Sequence, residues 1–369
     1  MQFTVKKVNL TKSLSVLNKA VNPRVSLPML SNILIRTEKG RLKLTSSDLQ
    51  LTISAWIGAK IDSTGEITVP AKLLTEFASQ ITEENIDAEL SGSTLKLSTP
   101  KVRATFAGMP ATEFPSIEAA KGTQTFTYNS VEFLSGLSKV AFAVASDESR
   151  PVLTGIYFKL LGNTLTVAGT DGFRMAEHKF KTENSYEEEI KCIIPARSFL
   201  EVVKSFSAVS DVLTFDINLE RNVILVTTED LEAQIRLLEG DYPDYEAVLP
   251  DEFATEIKLM SVELASAIKL ASVFSRENGN MIKVIAENGA AQVISQPTEQ
   301  GSNSSNLVAE IEGDDIQIAF NARYLLDFVN TVTDVELVFK TVEALKPGMF
   351  KIIGNEDYFY LVMPMRASW

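Results

Sequence analysis

Histidine and cysteine each occur once in the 369 residues, as His178 and Cys192. A single cysteine closes no internal disulfide, and Cys192 lies in an apolar stretch, the setting of a core thiol and not of an activated nucleophile. His178 has no cysteine cluster beside it, so no metal is expected. The phosphate-cradling pattern Gly-x-x-x-x-Gly-Lys-Ser/Thr is missing too. No apolar run reaches the roughly eighteen residues of a membrane span, so no membrane partner is expected. Met1-Gln2-Phe3-Thr4-Val5-Lys6 enters a strand directly, without the apolar core of a signal peptide, which leads to the expectation of a cytoplasmic protein. Positive charge is also short: the formal net charge of −13 argues against coating nucleic acid with the whole surface, but leaves room for a local basic face.

What the chain has is repetition. Pro70-Ala71-Lys72-Leu73-Leu74-Thr75-Glu76-Phe77, Pro195-Ala196-Arg197-Ser198-Phe199-Leu200-Glu201-Val202 and Asn321-Ala322-Arg323-Tyr324-Leu325-Leu326-Asp327-Phe328 describe one amphipathic helix used three times. Each has Pro or Asn first, a basic residue two places on and an acid six places on, and each follows a strand-like run, at 66–69, 192–194 and 316–320. The copies start about 125 residues apart, a domain-sized period. Three blocks follow, 1–120, 123–248 and 251–369, each long enough to bury its own core.

The spacing predicts the same order in every block: strand, helix, strands, signature helix, three strands. In the first block Thr11 is expected to cap a helix to about residue 20, followed by strands at 31–37, 41–46, 50–57 and 65–69 and, after the helix at 70–81, strands at 86–91, 94–98 and 102–107. In the second, Ser130 is expected to cap a helix to about 144; strands at 155–161 and 164–168 are expected to form a hairpin across Gly162-Asn163, and strands at 212–217, 222–227 and 232–238 follow the helix at 195–206. In the third, a helix from 261 to about 274 precedes strands between 281 and 295, and strands at 335–340, 348–353 and 358–363 close the chain. Thr45-Ser46-Ser47-Asp48-Leu49-Gln50-Leu51 echoes Ala168-Gly169-Thr170-Asp171-Gly172-Phe173-Arg174. Each block reads as two similar halves, so the chain holds up to six related units.

The six expected helices carry Lys12, Lys19, Lys72, Lys139, Arg197, Lys204, Lys269 and Arg323 against Glu76, Glu132, Glu201, Glu263 and Asp327, so the acid of the chain is concentrated on strands and loops. A weakly cationic helical surface suits a polyanion; solvated helix faces of ordinary proteins also carry such residues. Blocks that associate head to tail with a closing rotation form a ring. Twelve helices from two chains would line a circumference of roughly 120 Å, leaving a hole of about 28 Å that admits a DNA duplex.

The rival readings are an enzyme and a protein-binding scaffold. Asp48 and Asp171 follow Ser or Thr in turns and could act as an acid–base pair. They occupy equivalent turns of different blocks, however, and an Asp that caps its own turn is the commoner case.

Phe3-Thr4-Val5, Leu27-Pro28-Met29-Leu30-Ser31-Asn32, Arg150-Pro151-Val152-Leu153-Thr154-Gly155, Thr170-Asp171-Gly172-Phe173-Arg174-Met175, Tyr242-Pro243-Asp244-Tyr245 and Met363-Pro364-Met365-Arg366 together resemble the bacterial DNA polymerase III beta subunit, the sliding-clamp family, over the whole length. The resemblance implies an α+β DNA-clamp fold: three repeated domains, each with two helices on the inner face and antiparallel sheets outside, closing as a head-to-tail dimeric ring. It implies a processivity factor with no chemistry and no cofactor. The partners it implies are duplex DNA, held topologically, weakly and without sequence preference, a second copy of the chain, the DNA polymerase III alpha subunit and other polymerases, an ATP-driven clamp loader, and repair proteins bearing clamp-binding peptides. Its place would be the nucleoid-associated cytoplasm.

Carried over residue by residue, the resemblance implies a partner-peptide pocket of Arg150, Leu153, Thr170, Gly172, Phe173, Arg174 and Met175, with Pro243, Ala247 and Val248 as one wall and Pro347, Leu361, Met363, Pro364, Met365 and Arg366 as another. Adaptable Met side chains suit a site that receives many peptides. The implied DNA-facing residues are Arg24 and, on the helices, Lys12, Lys72, Lys139, Arg197, Lys204, Lys269 and Arg323. The implied dimer interface sets Phe106 against Val273 and Phe274. The chain departs from the family at Phe173, where histidine is frequent, at Asp147 and Glu148, where some relatives place a DNA-proximal glutamine, and in the terminal Ala367-Ser368-Trp369.

Overall fold

A computed structural model describes residues 1–21, 27–115, 122, 124–250, 252–299 and 301–367. Arg24, Ser368 and Trp369 lie outside the described residues. The chain forms two compact units, Met1–Leu134 with Arg197–Leu237, and Ser135–Ala196 with Leu238–Trp369. The division passes through the second block because sheet pairing joins neighbouring blocks within each unit. In the first unit Leu231–Arg236, from block two, pairs antiparallel with Leu51–Ser63, from block one, in a twelve-stranded sheet. In the second, Arg174–Pro195 of block two pairs with Asn355–Val362 of block three in a seven-stranded sheet, and a four-stranded sheet lies elsewhere in the unit. Every strand pair among the described residues is antiparallel.

Among the described residues the six α-helices are α1 (Lys7–Leu17), α2 (Ala71–Gln80), α3 (Ser130–Ala141), α4 (Ala196–Ser207), α5 (Ser261–Ser275) and α6 (Ala322–Val329). The three signature stretches become α2, α4 and α6, each burying one apolar face: Leu74 and Ala78, Phe199, Val202 and Val203, and Leu325, Phe328 and Val329. Two expected caps are wrong. α1 starts four residues before Thr11, whose hydroxyl instead donates back to the Lys7 carbonyl at 2.9 Å. Ser130 lies inside α3, and Asn129 Oδ1 accepts from the Val131 and Glu132 N–H groups at 3.1 Å. The reason is shared: the first N–H of the leading helix in each block is taken by a carbonyl beyond the signature helix. Lys7 N donates to Glu84 O at 2.7 Å, Ser130 N to Asp211 O at 2.9 Å and Ser261 N to Val335 O at 2.9 Å. The repeat is thus written into the hydrogen bonding as well as the sequence.

The hairpin expected across Gly162-Asn163 does not form: both arms belong to one strand, Gly155–Thr170, with Gly162 at φ +58 where the pairing register shifts, and both pair with Arg174–Pro195 and not with each other. Its first part pairs with the end of Arg174–Pro195 and its second part with the beginning. Block one divides the same scheme among four strands, Asn32–Glu38 pairing with Glu66–Pro70 and Arg41–Ser47 with Leu51–Ser63. Ser304–Leu307 and Ala309–Gly313 are additions to the expected strands: the first is too polar to give an alternating signal, and the second alternates only over the short Ala309-Glu310-Ile311-Glu312.

Candidate functional site

The turn after Gly155–Thr170 is built by its own side chains. Asp171 Oδ1 accepts from Phe173 N at 2.9 Å and Arg174 N at 3.0 Å, while Thr170 Oγ1 donates to Arg174 O at 2.6 Å and accepts from Gly172 N at 3.0 Å. Gly172 takes φ +90, a conformation that favours glycine. The turn leaves the Phe173 ring 62 % exposed, and Met363 N donates to Phe173 O at 2.8 Å, bringing the C-terminal segment alongside.

Met175, just past the turn, belongs to a buried apolar floor of Ala168, Met175, Tyr245, Met349 and Leu361, against which Tyr157, Tyr242, Leu249, Phe253 and Phe359 pack, while Phe173 itself lines a cleft with Phe142, Arg174, Tyr324 and Asp327. Tyr157 and Tyr242 stack at 4.9 Å, and Tyr245 Oη donates to the buried Glu177 at 2.6 Å. Burial first, and then the Glu177 charge, push the Tyr245 hydroxyl far above its ordinary pKa. Of the residues implied for the pocket, Leu153, Thr170, Met175, Pro347 and Leu361 are buried, Pro364 and Met365 half-buried, and Arg150, Phe173, Pro243, Ala247, Val248, Met363 and Arg366 exposed. Exposed apolar groups beside a buried apolar floor are what a short peptide can cover.

Arg174 is occupied by its own chain. Its guanidinium donates to Asp171 Oδ2 at 3.0 Å, Asp327 Oδ2 at 2.6 Å and the Phe142 carbonyl at 2.9 Å, and lies 4.5 Å from the Tyr324 ring centre. Asp327 on α6 is the partner that sequence reading missed. Its place in the signature helix was visible, but its pairing across 153 residues was not. Tyr157 and Met349 were missed likewise, although the Tyr242-Pro243-Asp244-Tyr245 motif marked the neighbourhood.

The first unit contains the same turn without the site. Asp48 Oδ1 accepts from Gln50 N and Leu51 N, and Arg236 N donates to Gln50 O where Met363 N donates to Phe173 O. The cross-strand pair Met175–Leu361 corresponds to Thr52–Gln234. Polar side chains thus interrupt the floor at two positions, although Leu225, which pairs with Gln234 as Met349 pairs with Leu361, is buried and apolar. Both aspartates are consumed in capping their own turns, which leaves no support here for an acid–base pair.

The basic helical residues are unevenly presented. Lys12, Lys72, Arg197, Lys204, Lys269 and Arg323 are exposed. Lys72 reaches Glu76 one turn on at 3.9 Å, and Lys19 pairs with Glu201 at 2.6 Å. Lys139 is half-buried with its Nζ 5.7 Å from the Tyr358 ring centre, and burial lowers its pKa. Asp147 accepts from Ser149 N at 3.1 Å, and Glu148 is exposed. Phe106 is buried, Phe274 half-buried and Val273 exposed. Among the described residues no group of three or more His, Cys, Asp and Glu could hold a metal, and no helix is long and apolar enough to cross a membrane.

Sequence models described as the N-terminal, central and C-terminal domains of the DNA polymerase III beta subunit match residues 1–118, 128–244 and 246–366. A curated beta sliding clamp of Vibrio cholerae is 28% identical over 377 residues, covering 99% of this chain and 100% of the relative. The crystal structure of the DNA polymerase III beta subunit from Pseudomonas aeruginosa matches with a TM-score of 0.94 at 26% identity, covering 100% of both chains. Another structure of a Pseudomonas aeruginosa sliding clamp, with the same TM-score of 0.94, 26% identity and 100% coverage of both chains, is bound to griselimycin.

Proposed function

The chain belongs to the DNA polymerase III beta-subunit family, the beta sliding clamps, and on that premise we propose how it does a clamp's work without chemistry of its own. Two copies close head to tail around duplex DNA, with blocks 1–120, 123–248 and 251–369 as the three clamp domains of each. The floor beside Phe173, Met363 and Val248 receives short peptides of polymerases, of the ATP-driven loader and of repair proteins, in the nucleoid-associated cytoplasm. Tethering then replaces affinity: a polymerase held by its peptide stays at high local concentration near the primer end.

The observation that carries this reading is the exposed apolar rim beside the Met175–Leu361 floor in a chain whose matching turn in the first unit has Thr52 and Gln234 instead. Exposed Arg197, Lys204, Lys269 and Arg323 would approach the phosphates. Few cations against a net charge of −13 give weak, salt-sensitive contact, as sliding requires. For ring closure we assign Val273 and Phe274, with the edge strand Arg103–Ala107 that carries Phe106.

The test is retention after loading with a clamp loader and ATP. The protein should stay on circular DNA through gel filtration and run off the same DNA once linearised. Equal loss from both forms would leave a peptide-binding scaffold in place of a clamp.

A further inference from the structure

We infer that Asp327 is a positioning residue of the peptide-docking site: through its ion pair with Arg174 it fixes the 170–175 turn, and the affinity of the site depends on it. The inference rests on the docking reading above. Its basis is geometric. Arg174 is buried and its guanidinium ties three elements together: the turn through Asp171, the end of α3 through the Phe142 carbonyl, and α6 through Asp327. The Asp171 and Phe142 contacts are made with partners close to the turn or on an adjoining helix end. Asp327 is the only one of the three that belongs to the third block, whose last strand supplies Leu361 and whose tail supplies Met363. It thereby joins the two sides of the docking surface.

A comparison inside the chain sharpens the point. Glu76, Glu201 and Asp327 hold the same place in the three signature helices, yet each is drawn to a different cation: Lys72 in its own helix, Lys19, and Arg174. In the first unit the residue matching Arg174 is Leu51, which is buried and offers nothing to an acid. That unit also has Thr52 and Gln234 where the second has Met175 and Leu361. The arginine–aspartate tie and the apolar Met175–Leu361 pair therefore occur together, at one of the two equivalent turns.

Asp327 is half-exposed at its outer edge, so the pair is partly screened and its removal should be tolerated by the fold. An isosteric neutral variant would still fill the space, but would loosen Arg174 and widen the range of positions open to Phe173. The loss would be felt as entropy when a ligand orders the turn.

Griselimycin, which a Pseudomonas aeruginosa relative binds, serves as the probe in titration calorimetry on the full-length protein. D327N should weaken binding about three- to fivefold, the scale of a partly exposed ion pair. E76Q and E201Q, the matching acids, should leave binding unchanged, and thermal midpoint and self-association should be the same in all three. D327E should restore most of the affinity. In an R174K background, already weakened, D327N should add no further loss, because Asp327 acts through Arg174. Unchanged affinity in D327N would overturn the inference, and so would an undiminished loss in the R174K background, which would mean that Asp327 meets the ligand directly. Failure of the parent protein to bind griselimycin would overturn the docking reading and this inference with it.

Discussion

Phe77 and Phe106 meet edge to face, their ring centres 5.4 Å apart at 72°. The contact makes Phe106 a core residue of its own protomer, a role that the sequence could not separate from the interface role expected of it. Phe106 stands on an edge strand, where a second chain could approach, and its ring is sunk to 2 % exposure in its own core.

F106A is accordingly expected to destabilise each protomer by about 3–5 kcal/mol, the usual scale for emptying a buried aromatic site. V273E, at a position 57 % exposed, should leave protomer stability intact and weaken self-association. Thermal unfolding alongside sedimentation separates the two effects. A V273E protein that assembles normally would move the ring contact away from α5.

Leu49 sits at φ +74, the position in its turn that Gly172 fills at φ +90 in the other. An L-residue with a side chain is strained there by about 1–2 kcal/mol. L49G should raise stability by up to about 1 kcal/mol after the loss of chain entropy is counted, and G172A should lower it by a comparable amount. Urea midpoints would read both, and a destabilised L49G would assign Leu49 a packing role.

His178 is set edge-on to Phe180 at 4.6 Å, its Nδ1 buried without a hydrogen-bond partner among the described residues. Burial, then the nearby Lys139 charge, lower its pKa from 6.5 to about 4. The unfolded chain thus binds a proton that the folded chain refuses between those values. Stability from this group is whole above pH 6.5 and declines as pH falls towards 4. H178F should flatten that part of the stability–pH profile, and an unchanged slope would trace acid sensitivity to the carboxylates.

Cys192 is buried, and burial alone pushes its thiol up to about 12. Iodoacetamide at pH 8 should leave the native protein unlabelled and modify it fully in urea. Rapid native labelling would mean that the strand Arg174–Pro195 opens readily.

The repeat was legible because its period governs both apolar spacing and turn chemistry. Asp48 and Asp171 match from sequence alone, and so do α2, α4 and α6. Helix starts were read less well, since Thr11 and Ser130 looked like caps, whereas backbone carbonyls just ahead of strands distant in the chain do part of that work. Family likeness pointed to Phe173 and Met363 and to Met175 and Leu361 of the buried cluster. Met349 and Tyr157 did not follow from it, because they join through tertiary packing alone. Nor did the Arg174–Asp327 pair, which links chain positions too distant for any local pattern to connect.

The pairing of Leu231–Arg236 with Leu51–Ser63, and of Arg174–Pro195 with Asn355–Val362, makes the middle block a poor candidate for expression alone. Cut free at its linkers, it would present raw strand margins on both flanks, and aggregation would follow. A protease that nicks between 108 and 115 should for the same reason release nothing: the severed pieces would stay laced together by main-chain hydrogen bonds until denaturant parts them.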